Sequence, residues 1–225
     1  MKIIFLGDSL TEGIYGGNFV EIIRQRFPQH EIINAGMSGS TVLNLERRLD
    51  DVIAQAPDGV FVMTGGNDSI SYSQPATRPY YKKARDVPEG FVSPDLFAQT
   101  YRDVLERLQL AFVQTWVGLP PKEYNAEVIA SQKQFNALAQ ALAESLSIPT
   151  LDFMAHFEPP ADAVQDRPPI DLGLITTIGR RSSAGWDDYE NERQRLGLTY
   201  SFDGIHITPK TAEQFAELII DFMEL

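Results

Sequence analysis

The sequence predicts an α/β protein: a parallel sheet covered by helices on both faces. Three observations carry this reading. Short apolar runs alternate five times with stretches of helical periodicity, the pattern of repeated strand–helix units. The strand runs are apolar throughout, as "GVFVM" at Gly59–Met63, which suits strands buried on both faces. The polar and glycine-rich turns cluster after the strands, where open parallel sheets build their sites.

In chain order, Ile3–Leu6 reads as the first strand. Phe19, Val20, Ile22, Ile23 and Phe27 form a helix face that Pro28 ends, and Glu31–Asn34 is the second strand. Val42, Leu45, Leu49, Val52 and Ile53 have helical spacing, and Gly59–Met63 is the third strand. Ser93-Pro94-Asp95 starts a helix, with Ser as cap, Pro in the first turn and Asp against the dipole. Phe112–Val117 is the fourth strand; Phe135, Leu138, Leu142 and Leu146 mark a helix; Thr150–Phe153 is the fifth strand. Thr208-Pro209 opens a last helix that carries Phe215, Leu218, Ile219 and Phe222 on one side. Two stretches interrupt the alternation, Ser69–Phe91 and Ala155–Tyr200, and both are expected to be loop insertions that shape a site.

The chain has 225 residues, a length that suits one domain over 1–225 able to bury roughly 70–75% of its unfolded surface. Its net charge of −12 argues against a nucleic-acid partner and gives no general attraction to anionic membranes. It has no cysteine, which removes disulfides, thiolate zinc sites and cysteine nucleophiles. Histidine chemistry has three candidates: His30, His156 and His206. The apolar run after Met1-Lys2 is too short for a signal peptide and no run is long enough to span a bilayer, so a cytoplasmic protein without membrane insertion is expected.

The strand ends bring together "GDS" (Gly7–Ser9), "NAGMSGST" (Asn34–Thr41), "TGGNDS" (Thr64–Ser69) and "FDGIHITP" (Phe202–Pro209). Taken singly these are ordinary: Ser9 as a cap or turn residue, Gly39 as a turn glycine, Asn67 as a turn asparagine, His206 as a structural histidine. Together they supply a reaction. A serine hydroxyl needs an adjacent base, which His206 can be, and the base needs an acceptor, which Asp203 can be from three residues away. A developing oxyanion needs fixed donors: the backbone N–H groups of Ser9 and Gly39 and the side-chain amide of Asn67.

These four blocks, in this order, resemble the GDSL/SGNH hydrolases, a family of esterases, lysophospholipases, thioesterases and carbohydrate acetylesterases. The family's serine in G-D-S, its glycine, its asparagine in G-x-N-D and its histidine in D-x-x-H match Ser9, Gly39, Asn67, and Asp203 with His206. The resemblance spans Gly7 to His206. It implies a flavodoxin-like three-layer α/β/α fold with a five-stranded parallel sheet. It also implies an acyl-enzyme on Ser9, His206 as base and then acid, Asp203 orienting it, and a small-molecule ester as substrate with no metal or cofactor. Asp8 and Asp68 are expected to bond backbone or neighbouring loops. The departure from the family is the long segment before Phe202, which leaves the substrate open.

Other readings weigh less. A metal-dependent phosphoesterase wants more ligands than this chain's histidines comfortably supply. A nucleotide or flavin module wants a phosphate loop, and "GIYGGNF" at Gly13–Phe19 has the wrong spacing. A non-catalytic binding protein has no need of Ser9, Asp203 and His206. In the first insertion, Tyr80 and Tyr81 belong to a basic, aromatic island expected to wall the substrate. In the second, Arg180 and Arg181 are expected to meet an anionic group.

Overall fold

The computed structural model describes residues 1–165 and 167–225. Five strands form one parallel sheet in the order β2-β1-β3-β4-β5: β1 (Lys2–Gly7), β2 (Glu31–Gly36), β3 (Gly59–Met63), β4 (Gln114–Leu119) and β5 (Thr150–Asp152). This is the flavodoxin-like order, and its switch point lies at the β1 and β3 ends. The helices are α1 (Ser9–Glu12), α2 (Phe19–Arg26), α3 (Val42–Arg47), α4 (Leu49–Ile53), α5 (Gly66–Ser73), α6 (Arg78–Ala84), α7 (Pro94–Leu110) and α8 (Ala126–Ser145). They continue with α9 (Phe153–His156), α10 (Ala161–Gln165), α11 (Leu172–Ser183), α12 (Tyr189–Arg195) and α13 (Pro209–Met223).

The period of two along each strand sorts the core into two halves. Ile4, Leu6, Val60, Val62, Val117 and Leu119 face α3, α4, α7 and α8. Ile3, Phe5, Phe61, Met63 and Trp116 face α2, α9 and α13, where Phe153 stacks on Phe215 with ring centroids 4.1 Å apart. Burial on both faces accounts for the unbroken apolar runs.

Several boundaries differ from the sequence expectation, each for a local reason. The fourth strand starts at Gln114, not Phe112. Phe112 is left-handed (φ 58°) and exposed, and the N–H groups of Phe112 and Val113 bond back to the carbonyls of Gln109 and Leu108 to close α7. The helix expected over 42–53 breaks at Arg48, whose guanidinium turns inward to the carbonyls of Gly7 and Ala35 at 3.2 and 2.9 Å. The fifth strand stops at Asp152, whose carboxylate caps α9 through Met154 N–H. The two stretches expected as loops are largely helical. Ser69–Phe91 holds most of α5 and all of α6, and Ala155–Tyr200 holds α10, α11 and α12. No described helix is long and apolar enough to cross a membrane.

Candidate active site

Ser9 opens α1 directly after β1. The capping role that a serine could fill there belongs to Asp8, whose Oδ1 accepts from Leu10 N–H at 3.0 Å. The Ser9 hydroxyl is thereby free for another partner, and it meets His206 Nε2 at 3.0 Å. Gly7 has to be small: a Cβ there would lie 2.1 Å from Thr11 Oγ1 and 2.7 Å from the Met63 carbonyl oxygen.

His206 comes from the loop between Ser201 and α13. An isolated bridge between Ser201 and Ile207 pinches this loop, and Asp203 closes it by accepting from the N–H groups of Ile205 and His206 at 2.8 and 2.7 Å. The other carboxylate oxygen of Asp203 accepts from His206 Nδ1 at 2.7 Å, which leaves Nε2 facing the Ser9 hydroxyl. Burial alone would raise the Asp203 carboxyl, but the imidazole and its hydrogen bonds hold it below its usual range. Burial alone would lower His206. The charge and hydrogen bond of Asp203, with Asp8 behind, overcome burial and raise it above 6.5. The Tyr15 ring meets the imidazole edge-on at 5.2 Å, and Phe202 stacks at 6.1 Å. The sequence held no signal for either contact beyond the aromatic identity of each.

Asn67 is held at both ends. Its Nδ2 donates to Asp8 Oδ2 at 3.2 Å, and its Oδ1 accepts from the Tyr81 hydroxyl at 2.9 Å. The amide orientation is therefore set by one acceptor and one donor on opposite sides. Tyr81, expected as a wall residue, does line the cavity, but its hydroxyl is committed to Asn67. Burial pushes Asp8 up to about 6, tempered by the Leu10 N–H, His206 and Asn67. Asp68, the next residue along, accepts from Val42 N–H at 3.1 and 3.2 Å and is pushed by burial up to about 7. Glu123, unremarked in the sequence, is buried beneath this group and raised by burial and by Asp8 and Asp203.

Gly39 is left-handed (φ 71°), and a Cβ there would sit 2.3 Å from the Tyr80 hydroxyl and 2.7 Å from Arg85 Nε. Ser9, His206, Gly39, Asn67, Tyr15, Tyr80, Tyr81 and Arg85 share one cavity of about 270 Å³, which Ile70, Ile175, Ile178 and Ile205 make apolar on one side. The structure thus brings together all five motif residues and both tyrosines. Asp203 stands behind His206. Arg180 and Arg181 are not among the lining residues. Arg180 is exposed, and Arg181 is engaged with Glu192 at 2.7 Å and lies over the Trp186 ring. The positive charge on the cavity comes instead from Arg85.

This constellation has the parts that acyl transfer uses: a hydroxyl on an imidazole, the imidazole on a carboxylate, and Gly39 and Asn67 on the same cavity. The comparisons with known proteins agree in kind. The model of the GDSL-like lipase/acylhydrolase family matches residues 5–213. A curated acetylxylan esterase of Geobacillus stearothermophilus is 36% identical over a stretch that takes in 30% of this chain and 39% of that relative. The solved structure of an acetylxylan esterase from the same organism superposes with a TM-score of 0.65 at 19% identity, covering all of this chain and 94% of that one. A lipase/acylhydrolase from Enterococcus faecalis gives 0.63 at 17%, covering 98% and 93%.

Proposed function

This chain belongs to the GDSL-like lipase/acylhydrolase family, and we propose that it hydrolyses small carboxylic esters through an acyl-enzyme on Ser9. The observation that carries the proposal is the relay from Ser9 Oγ to His206 Nε2 at 3.0 Å and from His206 Nδ1 to Asp203 at 2.7 Å. Ser9 Oγ attacks the acyl carbon as its proton passes to His206 Nε2. Asp203 holds the ring and stabilises the imidazolium. The N–H groups of Ser9 and Gly39 and the amide of Asn67 take the negative charge that builds on the carbonyl oxygen. The intermediate collapses, His206 returns the proton to the leaving alkoxide, and water repeats the sequence to free the acid and Ser9.

Acetyl esters are the first substrates to try, because the relatives include proteins named acetylxylan esterases and because the cavity is small. The test is labelling with an organophosphate or sulfonyl fluoride alongside a 4-nitrophenyl ester series of rising acyl length. One adduct on Ser9, loss of turnover in Ser9→Ala and a preference for the shortest acyl groups are expected. Labelling elsewhere, or full activity in Ser9→Ala, would falsify the acyl-enzyme.

A further inference from the structure

Arg85 sits on the cavity that holds Ser9 and His206, and its charge is unspent. Its Nε is buried without a hydrogen-bond partner, and one terminal nitrogen donates to the carbonyl of the preceding residue, Ala84, at 3.1 Å. Its remaining contact is with the Tyr80 ring, 5.6 Å from the guanidinium carbon. No carboxylate pairs with it among the described residues. Arg47 meets Asp86, Arg107 meets Asp50 and Glu46, and Arg181 meets Glu192. Among the described residues Arg48 and Arg78 also lack a carboxylate partner, but each donates to two or more backbone carbonyls, whereas Arg85 has one such bond. An arginine that lines a cavity without a carboxylate partner keeps its charge for an acceptor that arrives from outside.

Three further features agree. No Asp or Glu lines the cavity, so nothing within it competes for the cation. Glycine at 39 lets the backbone pack closely against Arg85 Nε, where a Cβ would lie only 2.7 Å away, so the guanidinium is held on the cavity wall. Lys82 and Lys83, on the helix that leads into Arg85, are exposed and make no ion pair among the described residues, so this rim is locally positive on an acidic protein.

We propose that the cavity selects esters bearing a carboxylate, and that Arg85 is the residue that selects them. This rests on the ester-hydrolase reading above and adds the substrate class to it. A guanidinium binds a carboxylate through charge-assisted hydrogen bonds, and Arg85 brings the one cation among the described residues that line the cavity.

The carboxylate could be carried on either half of the ester, and matched pairs separate the two sources. On the alcohol side, 4-acetoxybenzoate is compared with 4-acetoxybenzamide. On the acyl side, the half-ester of succinate with 4-nitrophenol is compared with 4-nitrophenyl butyrate. The parent protein is expected to prefer the anionic member of one pair by roughly 10–100-fold in kcat/KM, the range of a hydrogen bond to a charged group. In Arg85→Gln the ratio is expected to fall toward one, and Arg85→Lys should keep part of it. Because each ratio is taken within one preparation, a partly misfolded variant does not distort it. Benzoate should also inhibit the parent more strongly than benzamide, and Arg85→Gln should remove that difference. A parent that turns over the neutral esters yet shows no anionic preference in either pair would overturn the proposal. So would a preference that survives in Arg85→Gln, or a loss that falls equally on both members. Absence of turnover on all four esters, with no Ser9 adduct, would instead remove the hydrolase reading beneath it.

Discussion

The two insertions differ in how they are held, and the difference separates their jobs. The first, around α5 and α6, is built into the core: Ile70, Tyr81, Val87 and Val92 are buried in the cluster that packs on β1, β3 and β4. The second, from α10 to α12, is thinly attached. Neither α10 nor α12 buries a residue, and Ile170, just before α11, and Ile178, within it, are its anchors. Both reach the cavity. The first delivers polar groups whose positions are fixed by hydrogen bonds, Asn67 through Tyr81 above all. The second delivers apolar side chains, Ile175 and Ile178, on a helix with little beneath it. Chemistry needs atoms fixed to fractions of an ångström, whereas an apolar wall tolerates movement.

The largest expected effect breaks the first region at Asn67. An oxyanion donor acts by bonding the tetrahedral intermediate better than the planar ester, so its loss falls on kcat. Asn67→Ala should lose roughly 10²–10³ in kcat with KM within a few-fold, since one such donor is worth about 3–4 kcal/mol. A folded Asn67→Ala protein with near-parent kcat would leave only the backbone donors of Ser9 and Gly39.

Next comes Tyr81→Phe, which keeps the buried ring and removes the hydroxyl that Asn67 Oδ1 accepts from. The amide loses one of its two constraints while the packing stays. A hydrogen bond of this kind is worth about 0.5–1.5 kcal/mol net, so kcat should fall roughly 2–13-fold with little change in KM. If Tyr81 served mainly as a substrate wall, KM would move instead.

These two residues also show what the sequence could and could not reveal. Ser9, Gly39, Asn67, Asp203 and His206 were legible because strand-end chemistry needs particular residue types at points that topology brings together. The strands were legible because double-sided burial writes an unbroken apolar run. Tyr81 holding Asn67 was not, since a contact across 14 residues depends on the tilt of a helix inside a stretch that read as a loop. Pro, Gly, Tyr and charge in 69–91 masked a helix whose stability comes from tertiary burial of Tyr81 and Thr77, not from its own propensity. Arg180 and Arg181 do not line the cavity, for a related reason. Charge alone drew attention to them: Arg181 is engaged with Glu192 and Trp186, and Arg180 is exposed away from the cavity with a hydrogen bond to Thr177.

A third effect follows from titration. In the proposed reaction the neutral form of His206 acts as the base, and its pKa is raised, so the acid limb of kcat/KM should lie above pH 6.5. Stability should run the other way. Burial lifts Asp8 to about 6 and Asp68 to about 7, so between the unfolded carboxylate range and these values the folded chain holds more protons. Stability then declines as pH rises through that window. His206 has the same sign: raised in the fold, its contribution is full below its unfolded value and is lost as pH climbs through the folded one. Asp203, depressed, acts only below the usual carboxylate range. As pH rises from about 5 to about 7, Tm should fall, while kcat/KM rises as His206 loses its proton. A Tm that climbs with activity would show that the two buried carboxyls under the first region are not shifted upward.

The smallest effect tests the second region. Ile178→Ala shortens an apolar side chain on the cavity wall without touching the Ser9–His206–Asp203 relay. In a rigid core an Ile truncated to Ala leaves a cavity and costs about 2–5 kcal/mol. Ile178 sits on a helix whose other faces are exposed or half-buried, so the helix can settle into the space and the cost should fall near or below the lower end of that range. Whatever part of that space stays open enlarges the cavity, and longer acyl groups gain more than acetyl. The ratio of kcat/KM for 4-nitrophenyl butyrate to that for the acetate should rise a few-fold, on the order of what one or two methylenes contribute in an apolar pocket. Hydrogen exchange adds an independent readout: amides of α10 to α12 should exchange by local opening, well ahead of those of α7 and β3. If Ile178→Ala leaves the chain-length ranking as in the parent, and α10 to α12 are protected as strongly as α7, the second insertion is as firmly built as the first and the contrast between the two walls disappears.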